Sequence, residues 1–291
     1  MVLVTGNRAG ISLVQIWPAS GKDLSLNDRL VEGRDCIWIT GASSGIGRAV
    51  ASLLVSRGYR VAASARRRET LEVLAQELAN ETGEIRVYPI DVTDHDAVAA
   101  TRTEIESDFG PIGLALLNAG THREVMARDF SAEDVRALID LNVMGCVNCL
   151  EAVLPEMIAR GRGHLALVSS VAGYMGLPTS AGYGATKAGL INMAEALKPE
   201  CDRLSIKLQL INPGFVKTPL TDRNPFPMPF LMNVDDAARA MVAGLESRRF
   251  EVIFPRRLAY ILKALRLLPY PLFFALTRRL LPVQRHGQPD G

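Results

Sequence analysis

The feature that most restricts this chain is a regular alternation, from residue 36 to about 254, of short apolar segments with longer segments of helical period. Cys36-Ile-Trp-Ile-Thr-Gly41 and Arg60-Val-Ala-Ala-Ser-Ala65 are the first two apolar segments. Others lie near 85–90, 112–117, 163–169, 205–211 and 250–254. Near-continuous apolar strands are covered on both faces, and strands separated by helices run parallel, so the pattern predicts one α/β layer structure with right-handed crossovers. Arg48 to Arg57 reads as the first helix, with apolar residues at 50, 53 and 54, closed by Gly58. Pro199, inside the helix that follows Lys187, predicts a kink or an early end.

Between the first strand and the first helix stands Thr40-Gly41-Ala42-Ser43-Ser44-Gly45-Ile46-Gly47. Glycines here allow a tight turn, let the backbone approach a pyrophosphate and let helix and strand pack closely. The free N–H groups at the helix start then face the phosphate. In this strand–turn–helix setting the glycines point to a dinucleotide site on a Rossmann-type, doubly wound sheet. Where NAD-binding folds carry an acid after the second strand, this chain reads Ser64-Ala65-Arg66-Arg67-Arg68, with no acid before Glu69. A carboxylate would repel a 2′-phosphate and a guanidinium can pair with it, so NADP is expected over NAD, held by Arg66 with help from Ser43.

A second constellation carries chemistry. Ser169-Ser170 ends a strand, and Tyr183-Gly-Ala-Thr-Lys187 places a phenol and an amine one turn apart on one helix face. A phenol titrates near ~10, too high for ready acid–base work, and a close ammonium is expected to lower it. Ser170 can donate a hydrogen bond to a substrate oxygen as charge builds there.

Taken with Asp91-Val92, Asn118-Ala119-Gly120, Asn142 and Pro213-Gly214 through Thr218, these motifs resemble the short-chain dehydrogenase/reductase family over residues 35–255. The resemblance implies hydride exchange between NADP(H) and a carbonyl/alcohol substrate. It makes Tyr183 the general acid in reduction and gives Lys187 the nicotinamide ribose and the tuning of Tyr183. Ser170 would orient the carbonyl and Asn142 would hold a water in a proton relay. Gly41, Ser43, Ser44, Gly45, Ile46 and Gly47 would hold the phosphates, Asp91 and Val92 would flank the adenine, and Asn118, Ala119 and Gly120 would line the cofactor's path. Pro213, Gly214, Val216 and Thr218 would cover the nicotinamide, with Thr218 on its carboxamide or the diphosphate. Gly182 and Pro199 depart from the pattern in ways that touch packing more than chemistry. By the same resemblance a homodimer or homotetramer is expected, and residues 224–232, Asn-Pro-Phe-Pro-Met-Pro-Phe-Leu-Met, would form a substrate lid suited to an apolar ligand. An NAD-dependent alcohol dehydrogenase and a non-catalytic NADP-binding sensor or scaffold are the competing readings.

A net charge of +2 argues against a nucleic-acid binder defined by bulk charge, but that charge is unevenly placed. Residues 248–285 hold nine Lys or Arg against one acid, Glu251. The segment 256–291 is therefore set apart as a basic, apolar, helical appendage in which Leu258, Ile261, Leu262, Leu265 and Leu268 share a face, with Lys263 and Arg266 opposite. Packing on the chain's own core, a partner chain and a membrane surface all suit that pattern. The four cysteines, at 36, 146, 149 and 201, fit a reducing cytoplasmic setting; Cys146-x-x-Cys149 lacks the further ligands of a zinc site, and no metal is expected. No run of 18 or more uncharged apolar residues predicts a span, and the start is a poor signal peptide. Residues 1–34 read as a poorly ordered extension, in which Val2-Leu-Val-Thr-Gly6 through Gly10 is only a faint echo of a glycine turn.

Overall fold

The computed structural model describes residue 30, residues 33–221 and residues 228–281. The expected N-terminal extension thus lies outside the described residues, apart from Leu30, Gly33 and Arg34. Seven strands form one sheet: β1 (Cys36–Thr40), β2 (Arg60–Ser64), β3 (Glu84–Val87), β4 (Ile112–Leu117), β5 (Gly163–Val168), β6 (Ile206–Pro213) and β7 (Glu251–Phe254). The order is β3-β2-β1-β4-β5-β6-β7 and every pairing is parallel. The helices are α1 (Gly45–Ser56), α2 (Arg68–Glu77), α3 (His95–Asp108), α4 (Ala132–Ile139), α5 (Gly145–Arg160), α6 (Ala181–Arg203), α7 (Val234–Glu246), α8 (Arg256–Leu265) and α9 (Tyr270–Thr277).

Alternation along each strand sorts side chains into two apolar layers. Ile37, Ile39, Val61, Ala63, Leu114 and Leu116 face α1, α2 and α7. Cys36, Trp38, Ala62, Ala115, Leu165 and Leu167 face α3, α5, α6 and α8. Each fully buried Ile or Leu contributes about 1.5–3 kcal/mol relative to exposure, so both layers have strong reason to stay covered. After β1 the chain winds outward to β3, then returns to lay β4 against the other side of β1. That reversal opens a crevice at the carboxyl ends of β1 and β4, the place where doubly wound sheets bind ligands.

Two expectations are revised. Pro199 does not shorten its helix, which runs to Arg203. Like Pro155 in α5, it is exposed, so the lost backbone hydrogen bond lies toward water. The appendage is not set apart throughout: Leu258, Ala259 and Leu262 of α8 are buried in the core layer with Val171 and Tyr174. Ile261 points outward instead, 47% exposed, and Lys263 turns back to pair with Glu251 of β7. The run Ala132–Arg160 has the length and composition of a membrane span, yet it is a core element burying Asn142, Cys149, Val153 and Met157.

Candidate active site

The glycine turn is shaped by space that side chains would close. Gly41 sits at φ +70°, a left-handed conformation, and an added Cβ would lie 2.9 Å from the Cα of Ala119. A Cβ on Gly47 would fall 2.3 Å from the Gly41 carbonyl oxygen and 2.5 Å from the Asn118 amide. Packing this close lets α1 start directly behind β1. Whereas α3 and α4 are capped by the side chains of Asp94 and Ser131, Ser44 gives α1 no side-chain cap, and its first turn holds no acid. The unpaired N–H groups there suit an anion.

Buried Thr40 joins the ends of β1 and β4. Its hydroxyl accepts from the backbone N–H groups of Asn118 at 3.0 Å and Ala119 at 3.1 Å. Asn118 answers with its side-chain amide, donating to the Thr40 carbonyl at 3.1 Å and the Gly41 carbonyl at 3.3 Å. The loop after β6 closes over the same place: Thr218 lies over the start of α1, its methyl 3.3 Å from where a Cβ on Gly45 would be. Thr221 ties that loop by donating to the Val216 carbonyl at 2.6 Å and accepting from the Thr218 N–H at 3.0 Å.

The outer corner forms a second group. Asp91 accepts from the Thr93 N–H at 3.0 Å and its hydroxyl at 2.9 Å. Val92 is buried, its carbonyl held by Asn148 at 2.9 Å. Arg66 is 69% exposed at its side chain and reaches only to 3.9 Å from Asp91, so its guanidinium is free to meet a solvent-borne anion. Ser64 is unavailable for that task because it is fully buried, where its hydroxyl accepts from Trp38 at 2.9 Å.

On the other side of the crevice, β5 delivers Ser170 and α6 delivers Tyr183 and Lys187. The Ser170 hydroxyl donates to the Pro213 carbonyl at 3.4 Å and accepts from the Ala172 N–H at 3.1 Å. Ser169 donates to the Lys187 carbonyl at 2.7 Å, fastening strand end to helix. Lys187 is buried, and its ammonium donates to the Val168 carbonyl at 2.9 Å, 5.7 Å from the centre of the Tyr183 ring. Burial brings its pKa down to about 8, with Cys146 opposing. Tyr183 does not show the expected depression. Burial raises its pKa, opposed by a hydrogen bond with Ser170, while the Lys187 ammonium donates to the Val168 carbonyl. In this geometry the phenol is a proton donor throughout the neutral range.

Asn142 lies in the π-helical turn Asp140–Met144 that links α4 to α5. Its side chain accepts from the Thr121 N–H at 2.8 Å and donates to the Thr121 carbonyl at 3.0 Å and the Thr186 hydroxyl at 3.1 Å. With these partners the side-chain amide positions the Gly120-Thr121 loop against α6.

Ile46, Asn118, Gly120, Ser170, Tyr183, Lys187, Pro213, Gly214, Val216 and Thr218 thus converge on one cavity of about 130 Å³, which Thr121, Leu220 and Thr221 also line. Gly41, Ser43, Ser44, Gly45, Gly47, Arg66, Asp91, Val92, Ala119 and Asn142 do not line it. Sequence reasoning passed over Thr40 and Thr221, whose roles need the folded loops, and also His122. The His122 ring meets the Tyr183 ring edge-on at 4.9 Å, and burial lowers its pKa, with Glu124 opposing. Its place just after Asn118-Ala119-Gly120 was the available signal. The expected lid falls partly outside the described residues; of its end, Met232 is docked on the β6 loop by donating to the Phe215 carbonyl at 2.9 Å. Cys146 and Cys149 are buried and free in α5, and burial pushes the Cys146 thiol up to about 12. Among the described residues no cluster of His, Cys, Asp or Glu could hold a metal.

The short chain dehydrogenase family profile matches residues 35–225. An uncharacterized oxidoreductase of Myxococcus xanthus is 41% identical over 242 residues, covering 83% of this chain and 96% of that protein. A 3-oxoacyl-acyl-carrier-protein reductase of Thermotoga maritima is 34% identical, covering 67% of this chain and 79% of that protein. Among solved structures, a short-chain dehydrogenase from Sphingobium yanoikuyae in complex with NADPH superposes with a TM-score of 0.71 at 27% identity. That match covers 88% of this chain and 99% of the other.

Proposed function

The chain belongs to the short-chain dehydrogenase/reductase family, and from that premise we propose that it is an NADP-dependent reductase of an apolar carbonyl compound, with Tyr183 as the proton donor. The observation that carries the reading is the meeting of Ser170, Tyr183 and Lys187 in one cavity with Asn118, Gly120 and Thr218 beside the open start of α1. The glycine turn, with room a Cβ would fill and N–H groups left uncapped, fits a dinucleotide phosphate. Gly41, Ser43, Ser44, Gly45, Ile46 and Gly47 would hold it, with Asp91, Val92, Asn118, Ala119 and Gly120 along the adenine side. Pro213, Gly214, Val216, Thr218, Tyr183 and Lys187 would lie at the nicotinamide side. The bound nicotinamide would supply the hydride.

The chain's own residues perform the rest. Ser170 presents its hydroxyl to the carbonyl oxygen, and Tyr183, kept protonated by burial, gives that oxygen its proton. Lys187 places a cation beside Tyr183 that favours the phenolate left behind. Asn142 ties Thr121, which lines the cavity, to Thr186 of α6 and would hold a water in the proton relay. NADP is favoured by the exposed Arg66 and the absence of an acid at 64–68, and the NADPH complex of the Sphingobium relative agrees. An apolar acyl substrate is favoured by exposed Phe230 and Leu231 beside the β6 loop and by the acyl substrate named for the Thermotoga relative. Four free, buried cysteines suit a reducing cytoplasm, and a homo-oligomer is the expected assembly.

The test is NADPH oxidation by the purified chain with a panel of 3-oxoacyl thioesters and medium-chain ketones. Turnover that disappears in Tyr183→Phe while NADPH binding persists supports the proposal. Binding of NADPH with no turnover of any carbonyl favours a sensor or scaffold, and tighter binding of NADH than NADPH returns the NAD-dependent reading.

A further inference from the structure

Exposed apolar side chains are not spread evenly over the molecule. Nineteen large ones are exposed among the described residues, and nine of them fall within 260–281. That concentration in one stretch of the chain departs from the scatter expected of a soluble fold. Leu267 is 85% exposed, Tyr270 74%, Leu272 57% and Phe274 51%. Of the α9 residues only Phe273 and Thr277 are buried, and Tyr270 and Phe274 stack on each other at 5.5 Å on the outside.

This stretch is anchored through α8 and carries one sign of charge. Below it, Leu258, Ala259 and Leu262 seat α8 in the core. Lys263 pairs with Glu251, which also accepts from Tyr174 at 2.6 Å and from Asn212 at 2.9 Å. On the outside stand Arg256, Arg257, Arg266, Arg278 and Arg279, all exposed, and residues 256–281 contain no acid. A second copy laid symmetrically on this face would bring arginines against arginines. A negatively charged lipid surface meets both demands, since acyl chains cover the aromatic and aliphatic residues while headgroups meet the arginines.

We infer that α8 and α9 form a docking surface for anionic lipid, which lays Leu267, Tyr270, Leu272 and Phe274 into the headgroup layer and holds the catalytic domain on a bilayer. This claim stands apart from the catalytic reading and is tested without it.

The experiment is sedimentation of the full chain with vesicles of phosphatidylcholine alone or mixed equally with phosphatidylglycerol. Light scattering of the free protein and melting curves of every variant accompany it. Binding is expected only to the phosphatidylglycerol vesicles and should weaken as salt shortens the screening length. Arg278→Glu with Arg279→Glu should lower partitioning by at least about 25-fold, taking about fivefold per charge near the surface. Leu267→Ser with Leu272→Ser and Phe274→Ser should lower it by about tenfold or more. All five positions are exposed, so melting should match the parent. Sedimentation with neither vesicle, or equally with both, overturns the inference. So does an oligomer that the serine variant converts to monomer while the parent ignores both vesicles, for then the surface belongs to another copy.

Discussion

At the β1 end of the cleft, Gly41, Gly45 and Gly47 make room by omitting side chains, and the nearest neighbours of Gly41 and Gly47 are backbone atoms of Ala119 and Gly41 that have nowhere to move. At the β5 end, Ser170, Tyr183 and Lys187 bury polar groups and give most of them a single partner, so that what is controlled is charge and proton position. The first region should therefore respond to added volume and hardly to pH. The second should respond to pH and to loss of one heteroatom, with little change in shape.

The largest effect expected is at the β5 end. Tyr183→Phe removes one oxygen and should lower the reduction rate constant by about 10²–10⁴-fold, with NADPH affinity near that of the parent. Steady-state rates beside fluorescence titration of NADPH check it, and equal loss of affinity and rate would show that the phenol serves binding instead. At the β1 end, Gly47→Ala should cost about 1–3 kcal/mol of stability, because its Cβ meets backbone rather than a flexible chain end. Urea unfolding measures that cost, and a parent-like midpoint with parent-like NADPH binding would break the steric account.

Acidity should separate the two regions more finely. Lys187 has its pKa lowered to about 8, so its cation is complete below that pH and lost above it. The Tyr183 pKa is raised, so the phenol keeps its proton over the same range. The reduction rate at saturating NADPH should then be level through neutral pH and decline above about 8, while NADPH binding at the glycine turn changes little. A rate that climbs through pH 8 would contradict the assigned proton donor. The smallest effect concerns the outer corner: Arg66→Ala should raise the KM for NADPH by about tenfold and leave that for NADH unchanged, as expected for one exposed charged contact. Equal KM values for NADPH in variant and parent would remove Arg66 from the 2′-phosphate.

Much of this site was readable before folding because its signals are local. Thr40 to Gly47 sits on one strand–turn–helix, and Tyr183 and Lys187 sit one turn apart, so spacing alone brings each set together. Six of the seven strands lie where their apolar runs place them, since a strand covered on both faces is apolar at most positions, whereas β3, at the sheet edge, ends at Val87 and exposes Glu84 and Arg86. What escaped was set by contacts distant in sequence. His122 touches Tyr183, and Asn142 takes Thr121 and Thr186 as partners. Ile261 was assigned the wrong side of α8 because adjacent Ile261 and Leu262 both fit an apolar stripe, and the fold buries Leu258, Ala259 and Leu262 and pairs Lys263 with Glu251. Pro199 was expected to end a helix that continues, because an exposed proline loses its hydrogen bond where water can replace it.

Residue type and spacing by themselves determined the doubly wound sheet, the glycine turn at its switch point and the phenol–amine pair, since each depends on periodicity or on a Cβ that is absent. Only the tertiary structure decided the acid–base balance between Tyr183 and Lys187. Burial moves a phenol up and an ammonium down, and how far each moves depends on which carbonyl, hydroxyl or thiol the fold brings beside it.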